Sequence, residues 1–105
     1  MKINLDSPEL LSWLDRWRGL IAAEWQARGY SHHMPTISVE ETKVPNRLRV
    51  LYDKTSVGAF IDRDTGDILY PKNFTSPAKH ARGNLFAEDG GRGAIASAYG
   101  IRTLK

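Results

Sequence analysis

Apolar residues in the first third of the chain recur at the period of a helix. The stripe comprises Leu10, Leu14, Trp17 and Ile21, and it is widened by Trp13, Leu20 and Trp25. This spacing predicts an amphipathic helix that packs one face against a core and ends near Arg28, before Gly29. Trp17 lies in the middle of the stripe, so we expect it to be the most buried tryptophan.

Two different residues could start this helix. Asp6 is one candidate for the N-cap, because Glu9 would complete a capping box with it. Ser7 is the other candidate, because Pro8 would then occupy the first helical turn. The sequence leaves both starts open.

Alternation with period two begins near residue 36. Residues 36–42 and 47–53 each alternate apolar and polar side chains, which predicts two half-exposed strands. In the second strand, Leu48, Val50 and Tyr52 face one way and Arg47, Arg49 and Leu51 face the other. Residues 59–61 and 68–70 are two further β-prone runs. We therefore expect an antiparallel meander of about four strands, with the helix covering one face.

The turn between the last two strands has a specific sequence. Residues 63–66 suit a type I turn in which Gly66 takes a positive φ. The resulting register places Arg63 opposite Asp67 and Phe60 opposite Tyr70. An opposite-charge pair and an aromatic pair both stabilise a hairpin, so this register is expected.

Less regular structure is expected after Pro71, which has no N–H to donate to a sheet. Ser76 and Pro77 fit the N-cap and first position of a short helix over residues 77–82. The glycine-rich residues 89–93 should be flexible, and residues 94–99 should form another short helix. The predicted fold class is α+β: one domain, residues 1–105, with a long N-terminal helix packed on an antiparallel meander and an irregular basic C-terminal third.

Composition narrows the class of function. The chain has 105 residues and no cysteine, which excludes disulfides, thiol catalysis and cysteine zinc sites. No apolar run approaches the ~20 residues needed to span a membrane, and the start is unlike a signal peptide. A cytoplasmic location is therefore expected.

Positive charge is concentrated in the second part of the chain. The net charge is +3; residues 1–43 carry 5 basic and 6 acidic groups, whereas residues 44–105 carry 10 basic and 6 acidic groups. An uneven basic excess of this kind favours nucleic acid or another polyanion as the partner.

The sequence contains no recognisable catalytic or cofactor motif. Asp62-x-Asp64-x-x-Asp67 lacks the glycine and the distal glutamate of a calcium loop, and the turn accounts for the same residues. Of the three histidines, His32 and His33 are adjacent and diverge on an extended chain, which disfavours a metal site. We therefore predict no catalytic residue, no metal and no cofactor.

Glu24 is a charged residue inside the apolar stripe of the helix. Arg28 follows four residues later, so an ion pair between the two is expected. A catalytic or partner-binding Glu24 is the alternative. An enzyme built around Glu24, His80 and the turn aspartates is the least favoured function.

Residues 69–86 contain no acidic side chain and interleave cations and amides with aromatic rings. A groove for single-stranded nucleic acid has this composition, because cations follow the phosphates and rings stack on the bases. We predict that nucleic acid contacts Lys72, Asn73, Phe74, Lys79, His80, Arg82, Asn84 and Arg92. Phe60 and Tyr70 would extend the stacking platform if they lie on the open face of the sheet. Alternatively, Phe74 and Phe86 anchor the loop to the core.

Two strings within residues 57–87 carry a resemblance to known proteins. They are Phe60-Ile61-Asp62-Arg63-x-Thr65-Gly66-Asp67-Ile68 and Ser76-Pro77-Ala78-Lys79-x-Ala81-Arg82-Gly83-Asn84. In these strings the chain resembles small uncharacterised proteins encoded by tailed bacteriophages. The resemblance implies expression in an infected bacterial cell, where small phage proteins bind nucleic acid or modify a host protein. It implies no catalytic residue.

Two functions are expected from these observations. The first is a non-enzymatic nucleic-acid-binding accessory protein of the host bacterial cytoplasm, which prefers single strands through a basic loop with interleaved aromatics. The alternative is a protein-interaction module that binds and inhibits or redirects a host bacterial protein. Neither function requires a cofactor or a membrane.

Overall fold

The computed structural model describes residues 3–30 and 33–102. The elements are α1 (Pro8–Arg28), β1 (Ile37–Glu41), β2 (Arg47–Tyr52), β3 (Ser56–Asp62), β4 (Asp67–Pro71), β5 (Pro77–Asn84), a 3-10 turn (Arg92–Ala94), β6 (Ile95–Ser97) and β7 (Gly100–Ile101). Strands β1 to β5 form an antiparallel meander in sequence order, and β6 pairs with β7 in a separate hairpin. The predicted α+β class is confirmed, with five strands in the meander where about four were expected.

Helix α1 begins and ends at residues that suit a helix terminus. Ser7 is the N-cap and Pro8 lies in the first turn, which confirms the second of the two predicted starts. Gly29 ends the helix in the left-handed conformation, at φ 65°. Its N–H donates to the carbonyls of Trp25 and Gln26. Within the described residues, no helix is long and apolar enough to cross a membrane.

The helix buries its apolar stripe against one face of the sheet, the inner face. The buried residues of this core include Leu10, Trp13, Leu14, Trp17 and Ile21 from α1, and Leu48, Val50, Ala59, Ile61 and Ile68 from the sheet. Trp17 is fully buried whereas Trp25 is only partly buried, as expected from their positions in the stripe. Trp13 donates from Nε1 to the carbonyl of Gly91 at 2.9 Å. Trp17 donates to the carbonyl of Ala98 at 3.1 Å, so both indoles fasten the C-terminal segment to α1.

The β3–β4 hairpin differs from the predicted register by one residue. Ile61 pairs with Ile68, and Phe60 pairs with Leu69. The predicted pairs, Arg63 with Asp67 and Phe60 with Tyr70, are wrong. Because Ile61 and Ile68 are both fully buried in the inner core, a slip of one residue would turn one of them to the other face of the sheet.

Hydrogen bonds within the turn explain the shift. The Oδ1 atom of Asp62 accepts from the backbone N–H of Asp64 at 2.9 Å and of Thr65 at 3.2 Å. The N–H of Gly66 donates to the Asp62 carbonyl at 2.8 Å. These bonds close a loop of residues 63–66 and leave Asp67 as the first residue of β4. The predicted positive φ of Gly66 is confirmed, at 80°.

Replacing Gly66 with valine should lower the melting temperature. A β-branched residue resists a φ of 80°, and a Cβ at this position would lie 2.6 Å from Cδ2 of Phe86. Gly19 is a matched control, because nothing lies within 4 Å of a Cβ built there. Gly19 lies on the exposed side of α1, so Gly19→Ala should stabilise the helix by roughly 0.5–1 kcal/mol. An unchanged thermal midpoint for Gly66→Val would contradict this turn geometry.

Residues 77–82 belong to strand β5, so the short helix predicted there is wrong. Ser76 does not cap a helix: its N–H donates to Asn73 Oδ1 at 2.9 Å, and its carbonyl accepts from Lys72 N–H at 2.9 Å. These bonds reverse the chain and bring Pro77 opposite Pro71 of β4. Pairing with an available sheet edge outweighs the local helix-start signal.

Hydrogen bonds hold the glycine-rich residues 89–93, which were expected to be flexible. The carboxylate of Asp89 accepts from the N–H of Gly93 and of Gly91, at 2.9 Å each. Both bonds lower the pKa of Asp89, and the bond from Gly93 has the larger effect. The helix predicted over residues 94–99 is wrong, because Ile95 belongs to β6 and pairs with Ile101 of β7.

Arginine side chains donate hydrogen bonds to carbonyl groups on both edge strands of the meander, β1 and β5. Arg18 donates from Nε and Nη2 to the carbonyl of Ile37 in β1, at 3.3 and 2.8 Å. On β5, Arg82 donates to the carbonyl of His80. Arg102 in turn donates to the carbonyl of Arg82 at 3.0 Å. Occupied carbonyls discourage another chain from pairing with these edges.

Candidate nucleic-acid interface

The predicted binding residues fall into two groups. Those exposed to solvent are Lys72, Phe74, Lys79, His80 and Arg92. Those whose side chains form hydrogen bonds inside the protein are Asn73, which is exposed as well, Arg82 and Asn84. Their contact with nucleic acid stays a prediction, and the second group also has a role in shaping the surface.

The two asparagines each stabilise a loop. Asn73 accepts at Oδ1 from the N–H of Thr75, at 3.0 Å, and of Ser76. Asn84 donates from Nδ2 to the carbonyl of Thr65 at 2.8 Å, and its Oδ1 accepts from the N–H of Phe86 at 2.7 Å. Asn73 therefore shapes the β4–β5 loop, and Asn84 holds the β3–β4 turn against the end of β5.

Arg82 is a buried cation with only 8% of its surface exposed. Its guanidinium lies 5.2 Å from the ring centroid of Tyr70 and donates to the carbonyl of Arg102 at 3.2 Å. Tyr70 packs against the inner core, so it does not meet the condition under which it would extend a stacking platform. Arg82 links β5 to the C-terminal segment, whereas Lys79 and His80 of the same strand face solvent.

Phe60 is fully buried although it lies on the outer face of the sheet, opposite α1. Its neighbours in β3, Ala59 and Ile61, belong to the inner core, and successive side chains of a strand point to opposite faces. The guanidinium groups of Arg47 and Arg49 each lie 5.8 Å from the centroid of the Phe60 ring. Phe60 lies on the face opposite α1 but is not open to solvent, so it does not extend the stacking platform.

Phe74 is an exposed aromatic residue, with 51% of its surface accessible to solvent. The guanidinium of Arg49 lies 4.4 Å from its ring centroid, which is a cation–π contact. Arg49 thus supports the ring from one side while about half of the residue stays open to solvent. We call Phe74 and the supporting Arg49 the Phe74 platform.

Hydrogen bonds hold the β4–β5 loop, residues 72–76, over the outer face. Arg49 donates from Nε to the carbonyl of Phe74 at 3.0 Å, and Arg47 donates from Nη1 to that of Thr75 at 3.3 Å. Arg49 also pairs with Glu40 at 2.5 Å and leaves only 13% of its side chain exposed. A loop held at several points presents its ring in one orientation, which lowers the entropic cost of binding.

A groove of about 420 Å³ lies beside the Phe74 platform. Its lining residues are Glu41, Thr42, Lys43, Val44, Arg49, Phe74 and Thr75. Phe74 and Val44 are exposed apolar residues, and Glu41 and Lys43 bring one charge of each sign. An apolar surface with a few polar groups is typical of small-molecule binding sites.

Arg47 and Arg49 are not among the site residues predicted from the sequence. They alternate with the buried Leu48 and Val50, so the pattern had already placed them together on one face of β2. The return of the β4–β5 loop over that face was not predictable, because Arg49 and Phe74 are 25 residues apart in the chain. Two arginines at i and i+2 of one strand were the available signal.

Glu24 forms the predicted ion pair with Arg28, at 2.5 Å. It also accepts a hydrogen bond from the hydroxyl of Tyr99 at 3.2 Å. The Tyr99 hydroxyl lies 3.5 Å from that of Tyr30. The hydrogen bond with Tyr30, burial and the charge of Glu24 raise the pKa of Tyr99 to about 12. Glu24 thus connects the end of α1 to the C-terminal hairpin.

Two further carboxylates, those of Asp53 and Asp67, have local hydrogen-bond partners. His33 lies 2.8 Å from Asp53, and this hydrogen bond lowers the pKa of Asp53. Asp67 of the turn accepts from Asn84 Nδ2 at 2.8 Å. Within residues 3–30 and 33–102, no three potential metal ligands of the His, Asp or Glu type are grouped together. His32 lies outside the described residues.

Residues 36–99 match the model of a family of unknown function, DUF7717. The matched stretch contains β1 to β6, and with them the Phe74 platform, the groove beside it and all eight predicted binding residues. Helix α1 precedes it. No curated protein and no solved structure is significantly similar to the chain.

Proposed function

Because the match spans more than half of its residues, the protein belongs to DUF7717, and we propose that it is a non-enzymatic accessory protein that binds single-stranded nucleic acid. The observation that carries this proposal is the Phe74 platform. An aromatic ring that is 51% exposed on a loop held by Arg47, Arg49 and Asn73 is arranged to stack on a flat ligand. Stacking of one base on such a ring contributes about 1–3 kcal/mol.

Exposed cations near the platform in the sequence support contacts with phosphates. Lys72 lies in the same loop as Phe74, and Lys79 and His80 lie on β5, into which the loop leads. Among the described residues, neither Lys72 nor Lys79 forms an ion pair with a carboxylate. Unpaired cations of this kind bind the backbone of a strand irrespective of its sequence.

A preference for single strands follows if the ring of Phe74 binds a base by stacking on it. In a duplex the bases are stacked on one another, so a side chain on a protein surface cannot cover their flat faces. An unpaired base can leave its neighbours and stack on Phe74. The resemblance to phage proteins supports the host bacterial cytoplasm as the place of this activity.

Binding to a single strand should weaken steeply as salt is added, and removal of exposed cations should reduce that dependence. Lys72→Ala and Lys79→Ala should each lower the slope of log binding constant against log salt by about 0.7 if each lysine contacts one phosphate. The melting temperatures should stay nearly unchanged, because exposed charges contribute little to stability. A fluorescence titration with a labelled strand at several salt concentrations measures both effects.

Arg16→Ala is the matched control for these variants. Arg16 is an exposed cation on α1, which packs on the inner face, so its removal should leave the slope as in the wild type. Equal losses of slope in all three variants would indicate only a general effect of net charge. No measurable binding of the wild type to any strand at low salt would refute the proposal.

A host bacterial protein with an acidic surface is the alternative partner. Lys72, Lys79 and His80 would then contact carboxylates of the partner, and Phe74 would be an apolar anchor. This alternative predicts no binding to oligonucleotides, so the salt titration separates the two functions.

A further inference from the structure

Most polar groups in the groove beside the Phe74 platform already have partners. The hydroxyl of Thr42 lies 3.0 Å from the carbonyls of both Val44 and Arg47, which share its single proton, and it accepts from the N–H of Val44 at 3.1 Å. The hydroxyl of Thr75 donates to Asn73 Oδ1 at 3.1 Å. These hydroxyls are therefore committed to the protein rather than to a ligand.

Two charged side chains in the groove remain accessible to a ligand. Glu41 has a side chain that is 62% exposed, and its ion pair with Arg63 is long, at 3.8 Å. Lys43 is exposed and, within the described residues, forms no hydrogen bond or ion pair. The groove thus offers two carboxylate oxygens as acceptors and one ammonium group as a donor, next to the apolar surfaces of Phe74 and Val44.

Resting on the proposed function, we propose that this groove binds a guanine base of the single strand. The Watson–Crick edge of guanine presents two adjacent donors, N1–H and N2–H, together with the acceptor O6. The carboxylate of Glu41 can accept from both donors in a bidentate, charge-assisted arrangement, while Lys43 donates to O6. The base plane meanwhile stacks on the ring of Phe74.

The other bases fit these groups less well. Adenine and cytosine present one exocyclic amino group and no neighbouring ring N–H, and thymine and uracil present a single ring N–H. Each leaves one carboxylate oxygen of Glu41 without a base donor, whereas guanine supplies a donor to both. A volume of about 420 Å³ is in the range of about 300–1,000 Å³ that small-molecule sites occupy.

The test compares an oligothymidylate of about ten nucleotides, within the usual range of site sizes, with the same strand carrying one central dG. The wild type should bind the dG strand roughly 5- to 150-fold more tightly, the range of one bidentate base contact. Glu41→Gln should abolish this preference while retaining binding to oligothymidylate. Glu88→Gln removes the same charge from an exposed residue that does not line the groove, so it should keep the preference.

Four other results of these titrations would contradict the guanine site, and each has a different consequence for the proposed function. If both strands bind alike with a steep salt dependence, the guanine inference fails and single-strand binding stands. A preference that survives Glu41→Gln likewise excludes the carboxylate as the reader of the base. If free guanosine monophosphate binds as tightly as the dG strand, the groove is a nucleotide site and not a strand site. If neither strand binds at low salt, the inference and the proposed function fail together.

Discussion

Replacing Trp17 with alanine should lower the free energy of unfolding by about 3–5 kcal/mol, the usual loss for a large buried aromatic. The Trp17 side chain is fully buried between α1 and the inner face of the sheet. Its ring lies 5.6 Å from that of Trp13, and its Nε1–H donates to the carbonyl of Ala98. A Cβ built at Gly58 would lie 2.7 Å from the Trp17 ring, so strand β3 approaches the indole closely. The substitution removes all these contacts and leaves the carbonyl of Ala98 without its donor.

Denaturant unfolding of Trp17→Ala measures this loss. Trp25→Ala is the matched control, because Trp25 lies in the same helix but is only partly buried, and its loss should be clearly smaller. A loss below about 1 kcal/mol for Trp17→Ala would contradict the inner core, since surface substitutions fall in that range.

Phe60→Ala should also cost about 3–5 kcal/mol, although the residue belongs to the outer face. Phe60 is fully buried beneath Arg47 and Arg49, so its removal opens a cavity under both guanidinium groups. The same two arginines donate hydrogen bonds to the carbonyls of Phe74 and Thr75. We therefore expect the β4–β5 loop to become less ordered when the Phe60 ring is removed.

The Phe60 prediction is measured by denaturant unfolding alongside Phe86→Ala, a phenylalanine that is 42% exposed. Phe86→Ala should lose less free energy of unfolding, because part of its ring is already in water. Similar losses in the two variants would contradict the burial of Phe60 beneath Arg47 and Arg49.

Local sequence signals accounted for much of the scaffold. The apolar stripe of α1, its Ser7 start and Gly29 end, and the positive φ of Gly66 each depend on a few neighbouring residues. The hairpin register depended on how Asp62 closes the turn. Strand β5 forms because it pairs with β4. The Ser76-Pro77 sequence is typical of a helix start, but this local preference is outweighed by the pairing, so the helix prediction was wrong.

The candidate site was predictable only where it is continuous in the chain. Lys72 and Phe74 were predicted as site residues because the loop is basic and aromatic over a short stretch. Arg82 was expected at the surface as a cation, but the fold buries it between Tyr70 and the C-terminal segment. The support of Phe74 by Arg49 arises only when the β4–β5 loop folds back over β2, which no local pattern encodes.

The affinity of Phe74→Ala for a labelled oligothymidylate, measured with its melting temperature, tests the central claim most directly. Because Phe74 is half exposed and its ring supports no buried side chain of the inner core, the variant should melt close to the wild type. Its binding should weaken by about 1–3 kcal/mol through the loss of base stacking. Unchanged affinity together with a lowered melting temperature would contradict the account, because Phe74 would then serve only to anchor its loop.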